Sequence, residues 1–236
     1  MANSSLTRQR STAFRSTVAL KSLMAVTGVI LVLFLLAHMY GNLMVFGGQQ
    51  AFDEYSHHLR ELGEPMLPHS GALWIIRVVL LASVLGHAYS AVALWSRAKK
   101  ARGHRYAVTK SAQGASARYA TQTMRWGGVV IVLFVVFHIL HLTTNDIAPG
   151  GASTSPYERL VNGFQPEFWY VTLFYVLSVL AVGLHLRHGI WSALATLGAN
   201  KAKRERPLHA ASTLIAVVLT VGFLLGPLSV TFGLVE

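Results

Sequence analysis

The chain has 236 residues, of which 53% are hydrophobic and only 12% charged, and it carries a formal charge of +11 with no cysteine. That balance excludes a soluble globular domain, and the lack of thiols excludes a thiolate-held iron–sulphur cluster and a disulfide framework. The positive residues are scattered between apolar stretches rather than gathered on one basic face, so no nucleic-acid partner is expected.

A basic tail bearing Arg8, Arg10 and Arg15 leads into the first apolar stretch, roughly Val18 to Phe46. The stretch runs past the core length of a secretory signal and shows no small-residue cleavage site, which predicts a permanent helix. Further stretches follow at Ala72 to Trp95, Trp126 to Leu142, Phe168 to Leu197 and His209 to Leu234. Runs of about 20 apolar residues cross roughly 30 Å of hydrocarbon as helices. The expected fold is therefore all-α, with residues 1–236 forming one integral membrane domain of five transmembrane helices.

Basic residues set the orientation. Sixteen lie before the first helix (with Lys21 at its start), between the second and third (Arg97 to Arg125) and between the fourth and fifth (Lys201 to Arg206); only Arg60 and Arg159 lie in the other two connections. By the positive-inside rule the N-terminus is expected in the cytoplasm and the C-terminus outside. The two external loops carry Asp53, Glu54, Glu61 and Glu64 in one and Asp146, Glu158 and Glu167 in the other.

The first four spans each contain a histidine: His38, His87, His138 and His185. An ionisable ring is costly in hydrocarbon, and its recurrence in successive spans points to a buried partner that uses imidazole, for which haem iron is the commonest choice. At about 1.5 Å per residue, His38 and His138 fall in the outer half of the bilayer and His87 and His185 in the inner half. The spacing predicts two stacked bis-histidine haems in a haem-binding bundle. Both axial positions of each iron would be filled, which suits electron transfer rather than oxygen binding. With no Cys-x-x-Cys-His motif the haems must be non-covalent, two of b type. His141 and His188 lie three residues from proposed ligands and on similar helical faces; depth favours His138 over His141 and does not separate His185 from His188. Lys21, Ser22 and Arg77, near helix ends, are candidates for the haem propionates, or else anchors at the membrane interface. No nucleotide-binding glycine motif occurs, so electrons must come from another polypeptide.

The segments His38-Met-Tyr-Gly-Asn-Leu43, Phe52-Asp-Glu-Tyr-Ser-His-His-Leu-Arg60, His185-Leu-Arg-His-Gly-Ile-Trp-Ser192 and Thr196-Leu-Gly198 resemble the diheme cytochrome b anchors of succinate:menaquinone oxidoreductases. The likeness extends over all five spans and is closest in the first, second and fourth. It implies His38, His87, His138 and His185 as the four iron ligands, His185 being chosen because it precedes the Gly-x-Trp-Ser element by four residues. The chain departs from some fumarate-reducing relatives at Gly183, where they carry a carboxylate.

The resemblance further implies a subunit of succinate dehydrogenase in the bacterial cytoplasmic membrane. Its partners would be a flavoprotein that performs the dicarboxylate chemistry, an iron–sulphur protein docked on the basic cytoplasmic face, lipid, and a quinone that is expected to be menaquinone. Glu61 and Glu64 are candidates for handling quinone protons, against the plainer reading of solvated loop carboxylates. The competing functions are a haem-free membrane anchor and a histidine-based proton relay or transporter. No inverted repeat supports the latter.

Overall fold

The computed structural model describes residues 16–101, 111–199 and 205–236, with residues 111–121 described by backbone only. The basic residues Arg8, Arg10, Arg15, Arg102, Arg105, Lys110, Lys201, Lys203 and Arg204 lie outside the described residues, as does the side chain of Arg118. Among those described there are helices and no strands. Five helical segments are long and apolar enough to cross a membrane.

Helix α1 (Thr17–Leu43) is capped by Ser16, whose side chain accepts from the Ala19 amide at 3.1 Å. Its apolar body carries one buried hydroxyl, Thr27, which donates to the Leu23 carbonyl at 2.7 Å and so stays paired away from water. A 3₁₀ turn (Met44–Gly47) follows, and Gly48, at a φ of 82°, turns the chain into helix α2 (Gly48–Glu61). Helix α3 spans Gly71–Ala101, and α4 spans Ser111–His138 before widening into a π-turn at Ile139–Thr143. A short helix α5 (Pro156–Gly163) begins where the Ser155 hydroxyl accepts from the Glu158 amide. After a 3₁₀ turn come α6 (Trp169–Leu194), which ends in a second π-turn at Ala195–Ala199, and α7 (Glu205–Thr231).

Helices α2 and α5 lie where the sequence suggested loops. Both are amphipathic caps over one end of the bundle. In α2 the spacing of Phe52, Tyr55 and Leu59 brings three apolar side chains to one face, while Glu54, His57 and His58 are exposed. Phe52 and the α5 residues Tyr157 and Leu160 belong to the same apolar cluster as Val45, Phe164, Tyr175 and Val230.

Helix α1 is central and packs against α3, α6 and α7; α6 packs against α7 and α4. The crossings use small residues, as expected where no hydrophobic difference drives helices together in lipid. Gly183 of α6 faces Thr220 of α7, and Gly222 of α7 faces Met39 of α1. On α3 the buried Ser83 and Ser90 serve the same close approach, Ser90 returning its proton to the Gly86 carbonyl at 2.8 Å.

The two ends of the bundle differ. At the capped end, Asp53 of α2 accepts from the Ser155 hydroxyl at 2.6 Å and from the Tyr157 amide at 3.2 Å, and the Tyr157 hydroxyl donates to the Glu236 carbonyl at 2.8 Å. Arg159 donates to the carbonyls of Ser153 at 2.7 Å and Thr143 at 2.6 Å, the second being a carbonyl left over by the π-turn. The other, basic end holds Lys21, Arg97, Lys99, Lys100, Arg125 and Arg206. There Arg97 donates to the Thr17 hydroxyl at 3.2 Å, and the Arg125 guanidinium lies 5.0 Å from the Trp95 ring centre.

Candidate functional site: two histidine pairs

The structure brings the four span histidines together in two pairs. His38 of α1 and His138 of α4 have ring centres 5.8 Å apart, with planes at 88°. His87 of α3 and His185 of α6 have ring centres 6.2 Å apart, with planes at 59°. On α1, His38 lies fourteen positions after Met24, which touches His87, and on α6, His185 lies ten positions after Tyr175, which touches His138. The two levels thus lie about 15–21 Å apart along the bundle.

Each pair reaches across a gap. Neither α1 with α4 nor α3 with α6 is among the closely packed helix pairs of the described residues. The imidazoles therefore meet between helices that their neighbours hold apart, rather than inside a tight crossing.

Hydrogen bonding fixes which nitrogen is available. Nδ1 of His87 lies 3.1 Å from the Met24 carbonyl oxygen. A carbonyl only accepts, so Nδ1 carries the proton and Nε2 of the neutral ring keeps its lone pair for a partner. A ligating histidine is commonly oriented in this way, its second nitrogen donating to a backbone carbonyl. Gly28 lies beside the same ring, where a Cβ would come 3.5 Å from Cε1. His185 has a buried Nδ1 without a hydrogen-bond partner among the described residues. At the capped end, Nδ1 of His138 lies 3.3 Å from the Tyr175 hydroxyl, and His38 is flanked by Phe34 and Phe223.

These features fit haem iron. Two imidazoles underfill a bare metal ion, which typically takes four protein donors, whereas haem iron brings four ring nitrogens and asks the protein for two axial ones. An imidazole nitrogen sits about 1.2 Å from its ring centre and about 2 Å from a bound metal, so rings sharing one ion in line stand about 6.4 Å apart. The observed 5.8 and 6.2 Å are also ordinary separations for rings in contact, so the fit rests on the donor set and on the Nδ1 bond of His87.

The neighbouring histidines are placed differently. His141, in the π-turn, is fully buried; its Nδ1 lies 3.0 Å from the Tyr175 hydroxyl, and its ring packs on Phe137 and Phe164. Its Nε2 has no partner among the described residues and faces Gly163, where a Cβ would collide with it. His188 is half-buried, with its ring 6.0 Å from Trp191, which in turn stacks on His209 at 4.6 Å. Thus His138 rather than His141 meets His38, and His185 rather than His188 meets His87.

Lys21 and Ser22 line a cleft of about 390 Å³ at the basic end with Trp191, Ser192 and Thr196, within one helical turn of Met24. The segments around Ser22 and Ser192 therefore face one space. Arg77 lies on an exposed flank of α3 with its guanidinium 5.0 Å from the Trp74 ring centre, an anchor's position. Glu61 and Glu64 are exposed and pair with nearby histidines, Glu61 with His57 on α2 at 3.4 Å and Glu64 with His69 in the connection after it at 3.1 Å. Gly41 runs beneath Tyr55, so closely that a Cβ there would come 2.9 Å from the ring, and this joins the segment of His38 to the α2 cap.

Sequence reasoning missed Tyr175. The only signal was a phenol in an apolar run, which needs a polar partner when buried. Comparison with protein-family models, with characterised proteins and with solved structures found no match to this chain.

Proposed function

We propose that this chain is the cytochrome b membrane anchor of a succinate dehydrogenase or fumarate reductase, holding two b haems between paired histidines. The observation that carries the reading is that four intramembrane imidazoles form two pairs, each bridging helices that do not pack closely on one another. His38 and His138 hold one iron and His87 and His185 the other. When bound, the haems supply a one-electron path between a partner iron–sulphur protein and a membrane quinone, menaquinone by resemblance.

The chain's own residues orient and insulate. The Met24 carbonyl holds the His87 ring with Nε2 free, and Phe34 and Phe223 keep water from His38. Lys21, with Ser22 and Ser192, offers the carboxylates of a bound haem a cation and hydroxyls within the basic-end cleft. The basic end faces the cytoplasm, where the flavoprotein and iron–sulphur partners dock, and the capped end faces outward across a bacterial cytoplasmic membrane. The motif resemblance in the segments of His38, Tyr55 and His185 supports the same assignment.

The test is a dithionite-reduced minus oxidised spectrum of the purified complex, with a pyridine haemochrome count per chain. Two b haems are expected, one lost in His38→Ala or His138→Ala and the other in His87→Ala or His185→Ala. No haem in the unaltered complex would overturn the reading and leave a bare anchor or a proton relay.

A further inference from the structure

Tyr175 is buried, 4% exposed, and its single hydroxyl lies within hydrogen-bond distance of two imidazoles: 3.3 Å from Nδ1 of His138 and 3.0 Å from Nδ1 of His141. A phenol has one proton to give, so it donates to at most one of the two rings and accepts from at least one.

The direction of this chain follows from the proposed function, on which the inference rests. If His138 holds iron through Nε2, its Nδ1 carries the proton and donates to the Tyr175 oxygen. Donation of the Tyr175 proton to Nδ1 of His141 then pairs the phenol and leaves the His141 proton on Nε2, which has no partner among the described residues. The reverse direction would need a bare Nδ1 and a protonated Nε2 on His138, which leaves no lone pair for the metal.

The surroundings hold the chain in place. His141 is wholly buried, with Gly163 against its Nε2 and with Phe137 and Phe164 against its ring. The π-turn that carries it is pinned by Asn145, whose amide donates to the His141 carbonyl at 3.1 Å and whose oxygen accepts from the Ser153 amide at 2.8 Å. The Tyr175 ring is wedged edge-on against Phe134 and Phe164, with centres 5.1 and 4.7 Å away.

We propose that Tyr175 and His141 are positioning residues that act through His138, a two-step hydrogen-bond relay which orients its ring and lowers the reduction potential of the iron it holds. Hydrogen bonds in series polarise one another, so acceptance by His141 makes the phenol oxygen a better acceptor for His138. A stronger bond at Nδ1 makes the imidazole more basic at Nε2, which favours ferric over ferrous iron. The basic-end pair is tuned differently, by the Met24 carbonyl at 3.1 Å and the Thr27 hydroxyl at 3.4 Å from Nδ1 of His87, with no second imidazole in the path. The two irons are thereby given unequal potentials by their ligands' hydrogen-bond partners.

Redox titration of the purified complex, followed optically and by low-temperature electron paramagnetic resonance, tests this. The capped-end signal is assigned as the one missing in His38→Ala. Tyr175→Phe keeps the packing and is expected to retain both haems, with the capped-end haem shifted about tenfold toward the reduced form at fixed potential. That is about 59 mV for a one-electron couple, and the basic-end haem stays put. His141→Leu should shift the same signal in the same direction by less, His141→Asn should restore it by supplying an acceptor, and the double variant Tyr175→Phe with His141→Leu should shift no further than Tyr175→Phe alone.

A Tyr175→Phe complex with both haems and an unmoved capped-end potential would overturn the relay while leaving the proposed function standing. If Tyr175→Phe does not assemble, the His141 variants decide: no shift in His141→Leu overturns the relay equally. An unaltered complex without haem removes the proposed function and the relay together.

Discussion

Gly28 of α1 lies against the imidazole of His87 on α3, and a Cβ built there would stand 3.5 Å from Cε1 and 3.7 Å from Nδ1. Those are ordinary van der Waals separations, so a methyl group fits and a longer side chain does not. Gly28→Ala is expected to leave two haems per chain, whereas Gly28→Leu pushes the His87 ring from the Met24 carbonyl and loses the basic-end haem alone. The pyridine haemochrome count checks both, and a Leu variant that keeps both haems with unchanged spectra would remove His87 from the ligand set.

The glycines of the capped end differ in how far their neighbours can yield. A Cβ on buried Gly163 would run into Nε2 and Cε1 of His141, a ring already clamped by Phe137 and Phe164. Gly163→Ala is expected to cost about 1–3 kcal/mol, the usual range for overpacking. Gly222→Ala meets the sulphur of Met39, a flexible side chain that can turn aside, and is expected to cost less. Thermal unfolding of the two variants in the same detergent should rank Gly163→Ala well below Gly222→Ala.

The five spans were legible in the sequence because a membrane helix announces itself by length and apolarity, and neither depends on which neighbours it meets. The pairing of His38 with His138 followed from depth, as did the placing of His87 level with the His185–His188 stretch, since helices that alternate in direction bring residues at equal depth to one level. The separation of His185 from His188 was not legible from depth, because a three-residue step changes height by only about 4.5 Å. It depends on the direction each ring takes, and Trp191 and His209 occupy the side toward His188.

The caps were readable and missed for a different reason. Phe52, Tyr55 and Leu59 follow helical spacing, and Ser155-Pro156-Tyr157-Glu158 is a helix-start signature with proline in the first turn. The acidic residues and turn formers of those segments mark them as connections between spans and mask that short periodicity. The π-turn at Ile139–Thr143 leaves no comparable mark in sequence, since its extra width is set by Arg159 and Asn145 from the surrounding cap.

Asp53 joins the two caps by hydrogen bonds, beside the Gln49–Glu158 bond and the Phe52–Tyr157 ring contact. Its carboxylate accepts from the Ser155 hydroxyl and the Tyr157 amide, and so ties α2 to the first turn of α5 across about a hundred residues of chain. Removing a charged acceptor leaves both donors to find water, at a cost of about 1–2 kcal/mol for a partly exposed site. Asp53→Ala is expected to loosen the 144–155 segment and speed its cleavage by a protease added to the capped side, with the haem count unchanged. Cleavage at the unaltered rate would mean that Arg159 and Gln49, which also reach this segment or α5, suffice to hold it.

His188 and His141 provide the sharpest contrast with the ligand set. His188 contacts Trp191 rather than His87, so His188→Gln should retain both haems and their potentials, whereas His185→Gln should lose the basic-end haem. His141→Leu should likewise retain both haems, because its ring faces Gly163 and Tyr175 rather than His38, while moving the potential of the capped-end haem through Tyr175. The haem count separates ligands from neighbours, and the potential separates a neighbour that acts through a ligand from one that does not. A haem lost from His188→Gln, with His185→Gln intact, would exchange the two residues' roles and place the basic-end iron nearer to Trp191.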